Sequence, residues 1–173
     1  NENTNAYTIT VTDSSVSAAN LSTIDGATTV AVAVNSTTIT GSTSDVTAIY
    51  TAFAAGTISG LGNEAVTIDD TTLAATALNT LDGLTTGVVN ASSVTTLTGA
   101  YADVNASYTA NAAGTISGLA NEAITLSDTT LAASSLNSLD ALTTGVIDAS
   151  SITTLTGAYA DVNASYTANA AGT

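Results

Sequence analysis

The sequence contains no lysine, arginine or histidine, and its 14 acidic residues give a formal net charge of −14. Proteins bind nucleic acid largely by displacing counterions from phosphates with cationic side chains. A chain without cations cannot make such contacts, so we expect no nucleic-acid partner. Anionic lipid surfaces should repel it for the same reason, whereas metal cations and dissolved salt are attracted to its field.

Cysteine is also absent, which excludes disulfides and thiolate chemistry. Without cysteine, histidine or lysine, a serine or threonine has no ordinary base to activate it as a nucleophile. A pair of carboxylates, as in glycosidases, is the remaining route to catalysis. Most acidic residues of this chain recur in phase, whereas a catalytic pair is normally unique. The sequence therefore predicts that the protein is not an enzyme.

Long apolar runs are missing too. None approaches the ~20 residues that a membrane-spanning helix needs, so no membrane insertion is expected. Apolar residues make up 45% of the chain but aromatic residues only 4%, and much of the apolar share is alanine. This composition fits a narrow core of small side chains.

The dominant feature of the sequence is a tandem repeat. Residues 56–113 and 114–171 match at 47 of 58 positions, and LTGAYADVNASYTANAAGT occurs at 97–115 and again at 155–173. A more divergent copy precedes them, with Asp13 aligned to Asp70. Such self-similarity indicates stacked supersecondary units. We divide the chain into repeats 1–57, 58–115 and 116–173, forming one continuous array that is either an excerpt of a longer array or a subunit that stacks end to end.

Each repeat divides into two similar coils. In the third repeat, coil A is Gly114–Thr144 and coil B is Gly145–Ala171, of 31 and 27 residues. Each coil has a glycine, two β-like stretches (TIS and AITLS in coil A, VID and SITTLT in coil B) and a segment of helical period. None of these elements can bury its apolar face alone. The predicted fold is an α/β repeat solenoid of stacked coils of about 27–31 residues, each with two short parallel-sheet strands and one helix.

The helix ends also have sequence signals. Asp128 or Thr129 is expected to cap the coil A helix, and Thr156 the coil B helix, because their side-chain oxygens accept from free N–H groups. Gly114 and Gly145 fall where a helix should end and a strand begin, so both are expected in the left-handed conformation.

Calcium is the one cofactor that the sequence suggests, because carboxylate, amide and carbonyl oxygens are the ligands that hard cations bind. The glycine-rich nonapeptide calcium motif and the EF-hand loop are both absent. The candidate ligands are the acids near the ends of the coil A helices and an acidic group early in the second repeat: Asp25, Asp82, Asp140, Glu64 and Asp70.

Structural alternatives exist for these acids. Asp70 is placed to cap a helix. Asp82 is placed to form a turn hydrogen bond, and it needs some compensation because an acid at a helix C-terminus opposes the macrodipole. Asp69 becomes Ser127 in the next repeat, which weakens a ligand role for Asp69.

The strings VTDSSVSAANLSTIDG and NEAVTIDDTTLAATALNTLDGLTTGVVNASSVTTLTGAYADV resemble repeats of very large, acidic cell-surface proteins of marine cyanobacteria and related bacteria. The resemblance covers the whole chain and lies in the repeats rather than in active residues. It implies a secreted, surface-attached or shed extracellular protein with a structural or adhesive role.

Three functions are consistent with the sequence. We expect a structural repeat segment of an extracellular or cell-surface protein: a stalk, surface layer or self-assembling filament whose partners are copies of itself. The first alternative is a calcium-dependent adhesin repeat that binds a glycan or surface through divalent cations. The second alternative is a segment of a viral fibre.

Overall fold

The computed structural model describes residues 6–172, which form fourteen short strands and six helices. The strands are β1 (Thr10–Val11), β2 (Ser15–Ser17), β3 (Val32–Val34), β4 (Thr38–Gly41), β5 (Ile58–Ser59), β6 (Ala65–Ile68), β7 (Thr72–Ala74), β8 (Val89–Asn90), β9 (Thr96–Gly99), β10 (Ile116–Ser117), β11 (Ala123–Leu126), β12 (Thr130–Ala132), β13 (Ile147–Asp148) and β14 (Thr154–Thr156). The helices are α1 (Ala18–Asp25), α2 (Thr43–Ala55), α3 (Ala75–Asp82), α4 (Tyr101–Ala113), α5 (Ala133–Asp140) and α6 (Tyr159–Ala171).

The chain divides into two compact units. The described part of the first unit comprises residues 6–70 and 80–91, and that of the second comprises residues 71–79 and 92–172. In the first unit, β1, β3 and β5 form one parallel sheet, and β2, β4, β6 and β8 pair in that order in another. In the second unit, β7, β9, β11 and β13 form a parallel sheet, and β12 pairs with β14. The fold is therefore α/β, with repeated strand–helix units and parallel sheets.

Register within the sheets aligns apolar residues from successive coils. In the first unit, Val16, Ile39, Val66 and Val89 are successive partners across four strands, and all four are buried. The second unit has the same register at the equivalent residues of the next repeat: Leu73, Leu97, Ile124 and Ile147. Side chains in a parallel sheet stack directly above their partners in the neighbouring strand. Each pair of partners therefore covers an apolar face that a single coil cannot bury.

Equivalent residues of the repeats occupy equivalent places in the two units. Ile68 pairs with Gly41 in the first unit, and Leu126 pairs with Gly99 in the second. Both are almost completely buried. The sequence repeat is therefore a structural repeat at the level of strand register.

The prediction of two strands per coil is wrong for coil A. An additional strand, β7 in the second repeat and β12 in the third, precedes the helix. Leu131, whose spacing to Leu139 and Leu142 also fits a helix, lies in β12 and pairs with Leu155. Threonines before this leucine favour extended backbone, and β14 supplies the hydrogen-bonding partner. The coil A helix is correspondingly short, and it begins at Ala133.

The predicted caps also need correction. α5 begins after Ala132, so neither Asp128 nor Thr129 caps it, and α6 begins after Ala158 rather than Thr156. Thr156 lies in β14, where its backbone belongs to the sheet. A strand ladder formed with the neighbouring coil outweighs the local capping preference.

Glycines at the coil junctions act in two ways. Gly114 has φ 84° and ends α4 in the left-handed conformation, as predicted. Gly145 does not: it has no positive φ, and it is required because a Cβ at this position would overlap the backbone of Glu122. The prediction of a left-handed Gly145 is therefore wrong, and close approach between coils replaces it as the reason for this glycine.

Candidate functional site

The second unit contains a glutamate whose side chain is completely buried and hydrogen-bonded. Glu122 has no exposed surface. The Tyr108 hydroxyl of α4 donates to its Oε2 at 2.9 Å, and the Ala120 N–H lies 3.1 and 2.9 Å from its two carboxylate oxygens. A buried charge must be paired or hydrogen-bonded. This chain has no cation, so neutral donors stabilise the carboxylate.

The first unit contains the same arrangement. The Tyr50 hydroxyl of α2 donates to Glu64 Oε2 at 3.2 Å, and the Gly62 N–H donates to the same oxygen at 2.8 Å. The Thr85 hydroxyl, near the end of the same coil A, donates to the Glu64 carbonyl at 2.9 Å. Thr143 makes the equivalent bond to Glu122 at 2.8 Å. Each glutamate thus joins the preceding coil B, through the tyrosine, to the end of its own coil A, through the threonine.

Both tyrosines are held in the protonated form. The pKa of Tyr50 is raised to about 12, mainly by burial of the phenol; the Glu64 carboxylate also raises the pKa, and a hydrogen bond with Thr85 lowers it. Burial, aided by Glu122, also raises the pKa of Tyr108, while Thr143 opposes the shift. The hydroxyls therefore remain hydrogen-bond donors to the glutamates.

An aspartate from one coil caps a helix of the preceding coil. Asp70 Oδ2 accepts from the N–H and hydroxyl of Thr43, the first residue of α2, both at 2.7 Å. In the second unit, Asp128 Oδ2 accepts from the N–H of Tyr101, the first residue of α4, at 2.7 Å. α4 follows an alanine that provides no side-chain cap. The helix therefore obtains its N-terminal acceptor from a residue 27 positions later.

Asparagines form a third link between coils of the second unit. Asn79 donates to the Asp103 carbonyl at 2.9 Å and accepts from Ser107 at 2.7 Å. Asn137 repeats both bonds with Asp161 and Ser165.

A fourth link lies at the end of α4, where the Asn111 side chain donates to the Leu119 carbonyl at 3.1 Å and accepts from its N–H at 3.2 Å. These amides satisfy backbone and hydroxyl groups at the joints.

The five candidate calcium ligands lie at separate places. Glu64 and Asp70 bind different parts of α2, seven residues apart, which is about 10 Å along a helix axis. Asp25 ends α1 and accepts from the Thr57 hydroxyl at 3.1 Å. Asp82 ends α3 with one oxygen shielded from solvent, and Asp140 ends α5 beside a cavity of about 60 Å³.

Asp70 caps a helix, which is the structural alternative to calcium binding given for it from the sequence. The helix that it caps belongs to the preceding coil. Within residues 6–172, no three acidic side chains are grouped as a shared metal ion would require. Calcium binding by these residues stays a prediction.

The tyrosine of the buried pair is not among the site residues predicted from the sequence. A signal was present, because Tyr50 precedes Glu64 and Tyr108 precedes Glu122 by the same 14 positions. The first repeat has Tyr7 at the glutamate position, so the pair does not recur in all three copies. Contacts between residues in different coils have no local periodicity from which to infer them.

No family model matches the sequence, and no curated protein or solved structure is significantly similar to it. None of the helices in residues 6–172 is long and apolar enough to cross a bilayer. The arrangement described above contains donors and acceptors that join one coil to the next.

Proposed function

We propose that the chain is a structural repeat segment of an extracellular or cell-surface protein, folded as one continuous solenoid. Such a segment would serve as a stalk, surface layer or filament. The proposal is supported by the architecture. Apolar strand partners recur in register, and each coil has an apolar face to be covered by the next coil. In a solenoid, every added repeat makes the same nearest-neighbour contacts.

The observation that carries the proposal is the recurrence of the buried joint. The glutamate–tyrosine pair and the aspartate cap occur in both units with the same sequence separations, 14 and 27. The polar side chains of greatest burial are thus used to fix one coil on another. A scaffold requires stiff and identical joints, whereas a catalytic or binding site normally differs from its surroundings.

Composition and resemblance support an extracellular setting. The chain has no lysine or arginine, so trypsin-like proteases find no cleavage site in it. Its repeats resemble those of large acidic cell-surface proteins. A uniform negative charge also keeps neighbouring molecules apart and soluble.

Single-molecule pulling tests the load-bearing role. We expect distinct force peaks, with chain length released in multiples of about 200 Å per 58-residue repeat. The peaks should be unchanged when a chelator replaces calcium at equal ionic strength. Extension without a force peak would contradict the structural role, and a peak force that collapses in chelator would favour the calcium-dependent adhesin.

A further inference from the structure

The last coil B of the sequence has an uncovered side, which we call the open face and define by Ile152, Leu155, Tyr159, Tyr166 and Asn169. Tyr159 is 85% exposed and Tyr166 is 68% exposed. Ile152 and Leu155 are only half-buried and border a cavity of about 240 Å³. Among the described strands, β14 pairs with β12 alone.

The same residues one repeat earlier are buried. Val94, Leu97 and Tyr108 lie 58 positions before Ile152, Leu155 and Tyr166, and each is at most 4% exposed. The cover is a coil A: β11 pairs with β9 along its length, including Leu97 with Ile124. The open face therefore has the composition of an interface that already exists within the second unit.

Coil A also makes three polar contacts with the coil B that it covers, and the coil A residues involved all lie within residues 119–128. Leu119 bonds the Asn111 amide, Glu122 bonds the Tyr108 hydroxyl, and Asp128 accepts from the N-terminus of α4. The open face presents the same three groups: the Asn169 amide, the Tyr166 hydroxyl and the N-terminus of α6. α6, like α4, follows an alanine that makes no side-chain capping bond.

We propose that the open face binds one further coil A of the Glu122 type, an inference that rests on the proposed structural function. The occupant is a parallel strand with the pattern of residues 119–128: a leucine, a glutamate three positions later, an isoleucine or valine two after that, and an aspartate four further on. Its strand extends the β12–β14 sheet, and its glutamate accepts from Tyr166. Its aspartate caps α6.

The first coil of a second copy fits less well. It retains Asp13 at the capping position, but Tyr7 occupies the place of the glutamate. The Tyr166 hydroxyl would then meet another phenol, whose neutral oxygen is a weaker acceptor than a carboxylate. The chemistry of Tyr166 therefore selects a glutamate-bearing coil.

Tyrosine nitration tests the proposal on the whole chain. The sequence of residues 116–144 is added after Thr173, and nitration of each tyrosine is followed by mass spectrometry. We expect Tyr166 to react at least about tenfold more slowly in the extended chain, since reaction then requires the joint to open. Tyr108 is an internal check of folding and should be protected in every sample. A matched extension, with its glutamate replaced by tyrosine, should protect Tyr166 much less.

Equal nitration of Tyr166 with and without the added coil would overturn the proposal. Protection of Tyr166 in the unextended chain that grows with protein concentration would also overturn it, in favour of a second copy as the occupant. Neither result would affect the contacts inside residues 6–172, on which the pulling experiment depends. Failure of the docking proposal is therefore distinguishable from failure of the structural role.

Discussion

At the scale of single residues, Glu122 shows how a chain without cations buries a carboxylate. Its oxygens meet one phenol and one backbone N–H, and its own carbonyl accepts from Thr143. Hydrogen bonds to a charged group are stronger than neutral ones, and removing one partner leaves the buried charge undercompensated. The hydroxyl of Tyr108 should therefore add to the unfolding free energy beyond what burial of the apolar ring contributes.

Replacing Tyr108 with phenylalanine removes one donor to Glu122 and leaves the ring. We expect the Tyr108→Phe variant to lose about 1–2 kcal/mol of unfolding free energy, measured by urea denaturation. Tyr166→Phe is the matched control, because both tyrosines lie in the identical helix sequence YADVNASYTANAA and Tyr166 is exposed. Equal effects of the two substitutions would show that the Glu122 contact contributes nothing.

Alkaline pH should weaken the fold through the same tyrosines. An unfolded tyrosine has a pKa of about 10, whereas Tyr50 has a folded pKa of about 12. The folded state therefore holds this proton more tightly. The resulting stability is fully present below about pH 10 and is lost as pH rises through about 12.

Denaturation curves across this range should show the loss, with tyrosinate absorbance rising as the chain unfolds. The double variant Tyr50→Phe/Tyr108→Phe should have a flatter profile. An equally steep decline in that variant would assign the alkaline transition to other groups.

The acids show what sequence could and could not supply at this scale. The capping chemistry of Asp70 and Asp128 was predictable from residue type, and both do accept from helix N-termini. Which helix each one caps was not, because the partner lies 27 positions earlier and in another coil. Local spacing identifies the kind of hydrogen bond but not its long-range partner.

At the scale of elements, the coil B helices obtain their N-caps in different ways. α2 follows Ser42, whose side chain accepts from the Asp45 N–H at 3.1 Å. The first N–H of α2 also donates to Asp70 from the next coil. α4 follows Ala100, so Asp128 from the next coil is its side-chain acceptor. Stability of α4 is thereby coupled to correct stacking.

Removing this cap should destabilise the second unit. We expect Asp128→Ala to cost about 1 kcal/mol of unfolding free energy in urea denaturation, the usual loss of a side-chain cap. Adding Ala100→Ser should recover part of the loss by providing a local cap like Ser42.

Asp148→Asn is the control for charge, since Asp148 is exposed and aligns with Asn90. If the control costs as much as Asp128→Ala, removal of charge rather than capping is the cause.

Coil junctions have a steric requirement at Gly145, where a Cβ would overlap the Glu122 carbonyl. We expect Gly145→Ala to cost about 3 kcal/mol, as overpacking does when backbone must move. Gly26→Ala is the matched control, because Gly26 has φ −67° and the third repeat has Ala141 at that position. Thermal unfolding of both variants tests this. A mild effect at Gly145 would show that the coils can separate there without penalty.

The element pattern was predictable where it depended on period and repeat. The 58-residue period anticipated parallel strands with apolar partners such as Leu97 and Ile124. The period did not reveal β12, because the position of Leu131 is compatible both with the apolar face of a helix and with a buried position in a strand. Only the partner β14 in the following coil decides between the two.

At the scale of the whole molecule, the stability of each unit depends on the stacking of its coils. Within each unit, the sheets are parallel, and partners such as Ile39 and Val66, or Leu97 and Ile124, are apolar and buried. With no cation in the sequence, every interaction between fixed charges is repulsive, so burial and neutral hydrogen bonds must supply the cohesion. The proposed solenoid follows if each further coil repeats these contacts.

Small-angle X-ray scattering on chains of increasing length tests this claim most directly. The 173-residue chain is compared with chains lengthened by one and two copies of residues 116–173. Stacked coils predict a constant cross-section and a maximum dimension that grows by about 10 Å per added repeat, the thickness of two strand layers. A cross-section that widens with each repeat, or growth like that of separate beads on a flexible string, would contradict the stacked array.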